Sequence, residues 1–262
     1  VEGYNVGHMH RTGAIFSSDG KYLVTVSGKT AYLRDLNGNV MSELIGHDEN
    51  IQQLKFSPLM DYILTCSADM TSRVWDLKGN CLKILEGHNN TVFSADISFD
   101  GNFVATVSSD SIAWLWDKNR DLLIPLKGHK SAIWFVKFSP DGSYIVTTAN
   151  DNTARIWDKE GFEILVLKGH TMGVFCADFS PDGRLIVTAS KDNTATIWDI
   201  KGNELAVLKG HKESIRDSKF SPDGKYILTA SDDKTARLWN INGKQLYVFK
   251  NVDLVLNSVD FS

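Results

Sequence analysis

The sequence predicts an all-β chain in which short four-stranded antiparallel units repeat six times and stack around a ring. Three observations carry this. Gly-His pairs stand at Gly46-His47, Gly87-His88, Gly128-His129, Gly169-His170 and Gly210-His211, each 41 residues after the last. Trp-Asp pairs keep the same period at Trp75-Asp76, Trp116-Asp117, Trp157-Asp158 and Trp198-Asp199, with Trp239-Asn240 next. Between them lie runs of five or six residues rich in Val, Ile, Thr and aromatics, parted by Pro and Gly turns, which is the pattern of a β-meander. A fixed period of 40 to 45 residues with these two dipeptides marks a four-stranded blade of a β-propeller.

The second unit shows how the elements follow one another. Residues 51–56 are apolar with a polar interruption, and Ser57-Pro58 ends that strand. Later units read Ser139-Pro140-Asp141-Gly142, Ser180-Pro181-Asp182-Gly183 and Ser221-Pro222-Asp223-Gly224, with Pro and Gly at positions that suit a turn. A second strand at 62–67, a tight turn through Asp69 and a third strand at 72–75 follow. Lys78-Gly79-Asn80 then turns the chain into a fourth strand at 81–85. One such sheet cannot bury both faces alone, so the units must stack radially.

Six periods leave 16 residues over. The units are expected at 7–45, 46–86, 87–127, 128–168, 169–209 and 210–250, with a partial seventh at 251–262. Its inner strand would be 256–262, and residues 1–6 would supply an outer strand that seals the ring. A seven-bladed type of ring is favoured, with six-bladed closure as the alternative. The chain opens at Val1 instead of Met, so upstream sequence is also expected.

These dipeptides and their spacing resemble the WD40 β-propeller family over essentially the whole chain. The resemblance implies a structural network in each blade that joins the His, a Ser or Thr of the second strand, the turn Asp and the Trp. Carried over, this gives His47, Thr65 or Ser67, Asp69 and Trp75 in repeat 2, and His88, Asp110 and Trp116 in repeat 3. Repeat 4 gives His129, Thr147, Asp151 and Trp157, with Ala149 where the others have Ser. Repeats 5 and 6 give His170, Asp192, Trp198 and His211, Asp233, Trp239. Repeat 1 departs, with Arg34-Asp35 in place of Trp-Asp. The compact Trp-Asp-x-x-Gly connection is similar to bacterial versions of the family, where the propeller is often one region of a longer polypeptide.

Composition is that of an ordinary folded protein: 42% hydrophobic, 23% charged, net charge −4. No apolar run approaches the roughly 18 residues of a membrane span. Cys66, Cys81 and Cys176 are odd in number and follow no metal spacing, which points to a reducing, cytoplasmic setting. The recurring histidines are dispersed over different blades and do not converge as zinc ligands must. G-x-S-x-G, H-E-x-x-H and P-loop motifs are absent. No catalytic residue, metal or cofactor is expected.

In a repeat protein, a binding site should show where the units differ. The second residue of each inner strand reads Gln52, Phe93, Trp134, Phe175, Arg216, Asn257, and the third reads Gln53, Ser94, Phe135, Cys176, Asp217, Ser258. Phe93, Trp134, Phe135 and Phe175 beside Arg216 and Asp217 have the make-up of an interface hot spot. By the resemblance, they lie at the mouth of the central channel. A second variable position precedes each turn Asp and includes Lys191 and Asp232. Further along the inner strands the sign alternates from blade to blade: Lys55, Asp96, Lys137, Asp178, Lys219, Asp260, with Ile15 in repeat 1. Each Lys is expected to face an Asp on the next blade. Trp114 stands where other repeats have Arg or Thr, and is expected to pack between blades, with a side groove as the alternative.

Together these features predict a non-catalytic scaffold or sensor module that binds a protein or peptide at the channel mouth. Further domains of a longer chain are possible cis partners, and no membrane is involved. Nucleic-acid binding is the alternative: the aromatics could stack bases, but the aspartates among the lysines argue against a basic groove. A propeller hydrolase is the more remote alternative.

Overall fold

The computed structural model describes residues 13–250 and 254–261. Residues 1–6, expected to seal the ring, lie outside them, as do Gly7, His8 and His10. The described residues form 24 strands in six sheets of four, with no helix among them. Each sheet is an antiparallel meander in chain order, so blades 1 to 6 span 14–44, 51–85, 92–127, 133–168, 174–209 and 215–249. The β-branched and aromatic runs pair as expected, and the turns follow their chemistry. In the Ser-Pro-Asp-Gly turns the serine hydroxyl donates to the aspartate, at 2.6 Å for Ser139 and Asp141. Gly142 takes φ +72°. Blade 2 has Met60 at that place and holds it left-handed at φ +59°.

The core lies in the seams between blades. Trp157, Ile145 and Phe138 of blade 4 pack on Val107, Leu115 and Leu126 of blade 3. Corresponding clusters join blades 1 and 2, 2 and 3, 4 and 5, and 5 and 6. Burial of these faces is the main driving force, at roughly 25 cal/mol per Å² of apolar surface.

The strand expected at 256–262 is not formed over residues 254–261, and no second strand pairs with it among the described residues. The segment is nevertheless tethered to blade 6: the Leu256 amide donates to the Ser231 carbonyl at 3.2 Å, and the Val259 amide to Asp217 Oδ2 at 3.2 Å. Val259 follows Asp217 by 42 residues, the same offset at which the Ala95 amide of blade 3 donates to Gln53 Oε1 of blade 2. Residues 254–261 thus make a contact with blade 6 that matches in offset one made between blades 2 and 3. The face of blade 6 behind them stays open. Phe249 is 45% exposed, whereas Leu208, its counterpart in blade 5, is fully buried.

Candidate functional site

Five inner strands share an irregularity that positions the variable residues. In blades 2 to 6 the pairing of the first and second strands slips by one residue, and the unpaired residue is Gln52, Phe93, Trp134, Phe175 or Arg216. Such a bulge re-aims one side chain out of the regular alternation. The bulge position and the residue before the turn Asp share one end of the blade. Arg216 bridges them in blade 6, with Nε and Nη2 donating to Asp232 at 2.9 and 2.6 Å.

Phe93 and Trp134 form a tilted pair with centroids 5.3 Å apart. Arg216 lies over Phe175, its guanidinium carbon 4.7 Å from the ring centroid, and Phe175 is buried beneath it. Phe93, Trp134, Arg216 and Asp232 are half-buried, and Lys191 is exposed. Two residues expected beside them are turned inward. Phe135 packs with Cys176, Val187 and Trp239 in the core, because it resumes the ladder opposite Thr148 after the bulge at Trp134. Asp217 is 2% exposed and accepts the amides of Ser218 and Val259. Both serve blade packing and stand outside the exposed surface.

The histidines build one network in each of blades 2, 4, 5 and 6. In blade 4, Trp157 Nε1 donates to Thr147 Oγ1 at 2.8 Å. That hydroxyl lies 2.8 Å from His129 Nε2, and His129 Nδ1 lies 2.9 Å from Asp151 Oδ2. Blades 2, 5 and 6 repeat this through Thr65, Thr188 and Thr229. The threonine, not the serine, therefore joins the His. Ser67 instead donates to the Glu49 carbonyl and accepts the Asp69 amide. A carboxylate on Nδ1 and a hydroxyl donating to Nε2 suit a neutral imidazole. Burial pushes His47, His88 and His211 below the usual histidine value of 6.5, against the pull of their aspartates. Burial works to raise the carboxylates, but hydrogen bonds outweigh it. Thr235, the Lys212 amide and His211 hold Asp233 at about 2. In blade 1, Arg34 stands in for the Trp: its Nε donates to Thr25 Oγ1 at 3.1 Å.

The alternating charges meet across the blades. Lys55 Nζ lies 2.5 Å from Asp96 Oδ1, and Lys137 pairs with Asp178 in the same way. The second oxygen of each Asp accepts an amide from the blade beyond, Phe138 for Asp96 and Phe220 for Asp178. Each pair therefore ties three successive inner strands. Lys219 forms no ion pair among the described residues; its ammonium lies 5.9 Å from the Phe135 ring centroid.

Blade 3 departs from the others, and Trp116 does not take the expected place. His88 reaches Asp110 and Thr106, but the buried Trp116 Nε1 has no hydrogen-bond partner among the described residues. The cause lies in the outer half of the blade. Blades 1, 2, 4, 5 and 6 turn after the third strand through a left-handed glycine, Gly38, Gly79, Gly161, Gly202 or Gly243. In each of them the pairing with the outer strand slips by one residue beside the Trp position. Blade 3 has Arg120 there, the left-handed residue is Asp121, and the ladder from Ile112↔Lys127 to Asp117↔Leu122 runs without a slip. Trp114 covers Gly87, where blades 2 and 4 use an arginine and the indole together: a Cβ on Gly87 would meet Trp114 at 3.1 Å, whereas one on Gly128 would meet Arg155 at 2.6 Å and the Trp157 ring at 3.0 Å. Trp114 packs as expected, and Trp116 is displaced toward an open cleft between blades 2 and 3. The cleft is lined by Lys83, Ile84, Leu85, Glu86, Trp116, Asp121 and Leu123. Sequence reasoning missed this; the absent glycine at Arg120 was its only signal.

Among the described residues, no group of three or more His, Cys, Asp or Glu side chains converges to hold a metal. None of their helices could cross a membrane, since they contain none. No curated protein matches the chain. The bacterial resemblance of the Trp-Asp-x-x-Gly connection gains no support from the comparisons. A family model described as the IFT122 first beta-propeller matches residues 12–262, and with six WD-type blades beneath that match the chain belongs to this β-propeller family.

Proposed function

We propose that the chain is a non-catalytic interaction scaffold that takes a protein or peptide where the bulged residues of its inner strands gather. One observation carries this. An otherwise periodic molecule pushes one residue out of each of five ladders, and those residues are chemically unlike one another: Gln52, Phe93, Trp134, Phe175 and Arg216. A rigid frame with variable projecting residues suits recognition. Half-buried aromatics beside a held guanidinium are the usual anchors of an interface. Trp134 adds a buried Nε1 with no hydrogen-bond partner among the described residues, ready to donate to a ligand carbonyl. Lys191 and Asp232 form the polar rim. The match to a β-propeller of the IFT122 family supports a scaffold role in general.

The same proposal takes residues 254–261 as the inner strand of a seventh unit, supported by the 42-residue offset of the Val259 bond. It places the chain in the cytoplasm, in keeping with three free cysteines. Further domains of a longer chain would be its cis partners.

The test is capture from source-like lysate by the native chain and by a Phe93→Ala/Trp134→Ala variant, with melting temperatures compared. Partners retained by the native chain and lost with a folded variant are expected. Equal capture by both would refute the site. Capture that falls steeply with added salt would favour phosphate contacts and the nucleic-acid alternative.

A further inference from the structure

We propose that the cleft between blades 2 and 3 is a second, lateral binding site, which takes an extended peptide carrying one aliphatic side chain flanked by basic residues. Two linked features of blade 3 open the cleft, and no other described blade has them: Arg120 in the glycine place and the unslipped outer ladder that goes with it. In blades 2, 4, 5 and 6 the turn glycine seats on the preceding outer strand. A Cβ on Gly161 would run into Ile124, and one on Gly243 would meet Ala206 at 2.9 Å. Between blades 2 and 3 the turn has no such glycine, and an open cleft of about 180 Å³ remains.

The lining states what fits. Ile84, Leu85 and Leu123 make an apolar floor for an aliphatic side chain. Trp116 is 7% exposed, and its indole N–H makes no full hydrogen bond among the described residues, so an arriving acceptor would satisfy a buried donor. The Asp121 carboxylate is close enough to feel the indole N–H but forms no full hydrogen bond with it. That carboxylate is engaged by Lys83 Nζ at 2.5 Å, which with Trp116 nearby holds it below the ordinary carboxylate range. A backbone carbonyl of the ligand supplies the acceptor. The charges decide the flanks: Lys83 is neutralised by Asp121, so exposed Glu86 leaves the rim acidic. An anionic ligand would face that carboxylate, whereas a basic flank is matched to it. The outer strand Cys81–Leu85 is the last of its sheet, so its free edge can also pair with an extended chain.

The test uses the full chain labelled with ¹⁵N at tryptophan. The Trp116 indole signal is assigned by its loss in Trp116→Phe and titrated with the blocked tripeptide Ac-Arg-Leu-Arg-NH₂. A saturable shift of the Trp116 signal is expected, with the Trp157 and Trp198 signals still. The acid-flanked Ac-Glu-Leu-Glu-NH₂ should bind about tenfold more weakly. Ile84→Lys, a half-exposed position whose change leaves the fold intact, should abolish the shift. No saturable response to the basic peptide would overturn the proposal. So would equal binding of both peptides, or undiminished binding by Ile84→Lys.

Discussion

Blades 3 and 4 share one repeat pattern and the same inner-half geometry, yet their outer halves differ. In both, a bulge frees an aromatic, Phe93 or Trp134, and a His bonds a turn Asp and a Thr. Only in blade 4 does the indole complete the chain. A tryptophan at the right place in the sequence is therefore not sufficient. Its ring points to the threonine only where a left-handed glycine turn and a slipped ladder set the strand beneath it. The His–Asp–Thr part forms without them.

The largest effects should show the inner halves to be equivalent. Asp96 and Asp178 each accept a lysine ammonium from the preceding blade and an amide from the following one. Reversing either charge breaks a mostly buried pair and sets two cations together, so Asp96→Lys and Asp178→Lys should each cost about 3–5 kcal/mol in denaturant unfolding. Asp260→Lys should cost little, since Asp260 is exposed and pairs with no lysine among the described residues. If Asp178→Lys melts like the native chain, the interblade pairs do not hold the ring.

Next in size come the threonines, which separate the two blades. Thr147→Val strands two buried groups, the Trp157 N–H and His129 Nε2, and should cost about 3 kcal/mol. Thr106→Val strands only His88 Nε2 and should cost about half of that. Equal losses would mean that Trp116 does reach Thr106 in solution.

The tryptophans themselves should differ by less. Trp157→Phe removes a made hydrogen bond and should cost about 1 kcal/mol beyond the change in packing. Trp116→Phe removes a donor with no partner, and should be close to neutral by the same measure.

What could be read from the sequence follows the same division. Period, sheet count and the five His–Asp pairs were legible because each depends on residue type at a fixed spacing. Two of the three expected Lys–Asp pairs were legible because the sign alternates at one fixed position from blade 2 onward; the third, Lys219 with Asp260, does not form among the described residues. Trp116 was misplaced because its partner is decided by backbone register, and the residue that changes the register, Arg120, lies outside the dipeptides that define the repeat. Phe135 and Asp217 were set at the surface for a related reason. A bulge reverses which of two neighbouring residues faces inward, and no composition shows where the bulge falls. Of the seventh unit only a spacing was legible: residues 254–261 repeat the offset of one interblade amide contact, and no second strand pairs with them among the described residues.

The smallest effect per group is the one that pH draws out, and it asks whether the indole matters to the histidine at all. His47, in a complete network, and His88, in one without its Trp, are both held below 6.5 by burial, although their aspartates pull the other way. A depressed histidine stabilises the fold while neutral. That contribution is whole above pH 6.5 and is lost as pH falls below it toward the folded value, because the unfolded chain then binds the proton more readily. A second loss begins lower, as Asp233, ordinarily near 3.8, is protonated only toward about 2. Stability should thus decline from pH 6.5 downward and again below about 4. Histidine ring signals followed by NMR should show His47 and His88 both resisting protonation at pH 6. If His88 titrates normally while His47 does not, the Trp N–H is needed to keep the imidazole neutral, and the networks of blades 2 and 3 differ in chemistry as well as in shape.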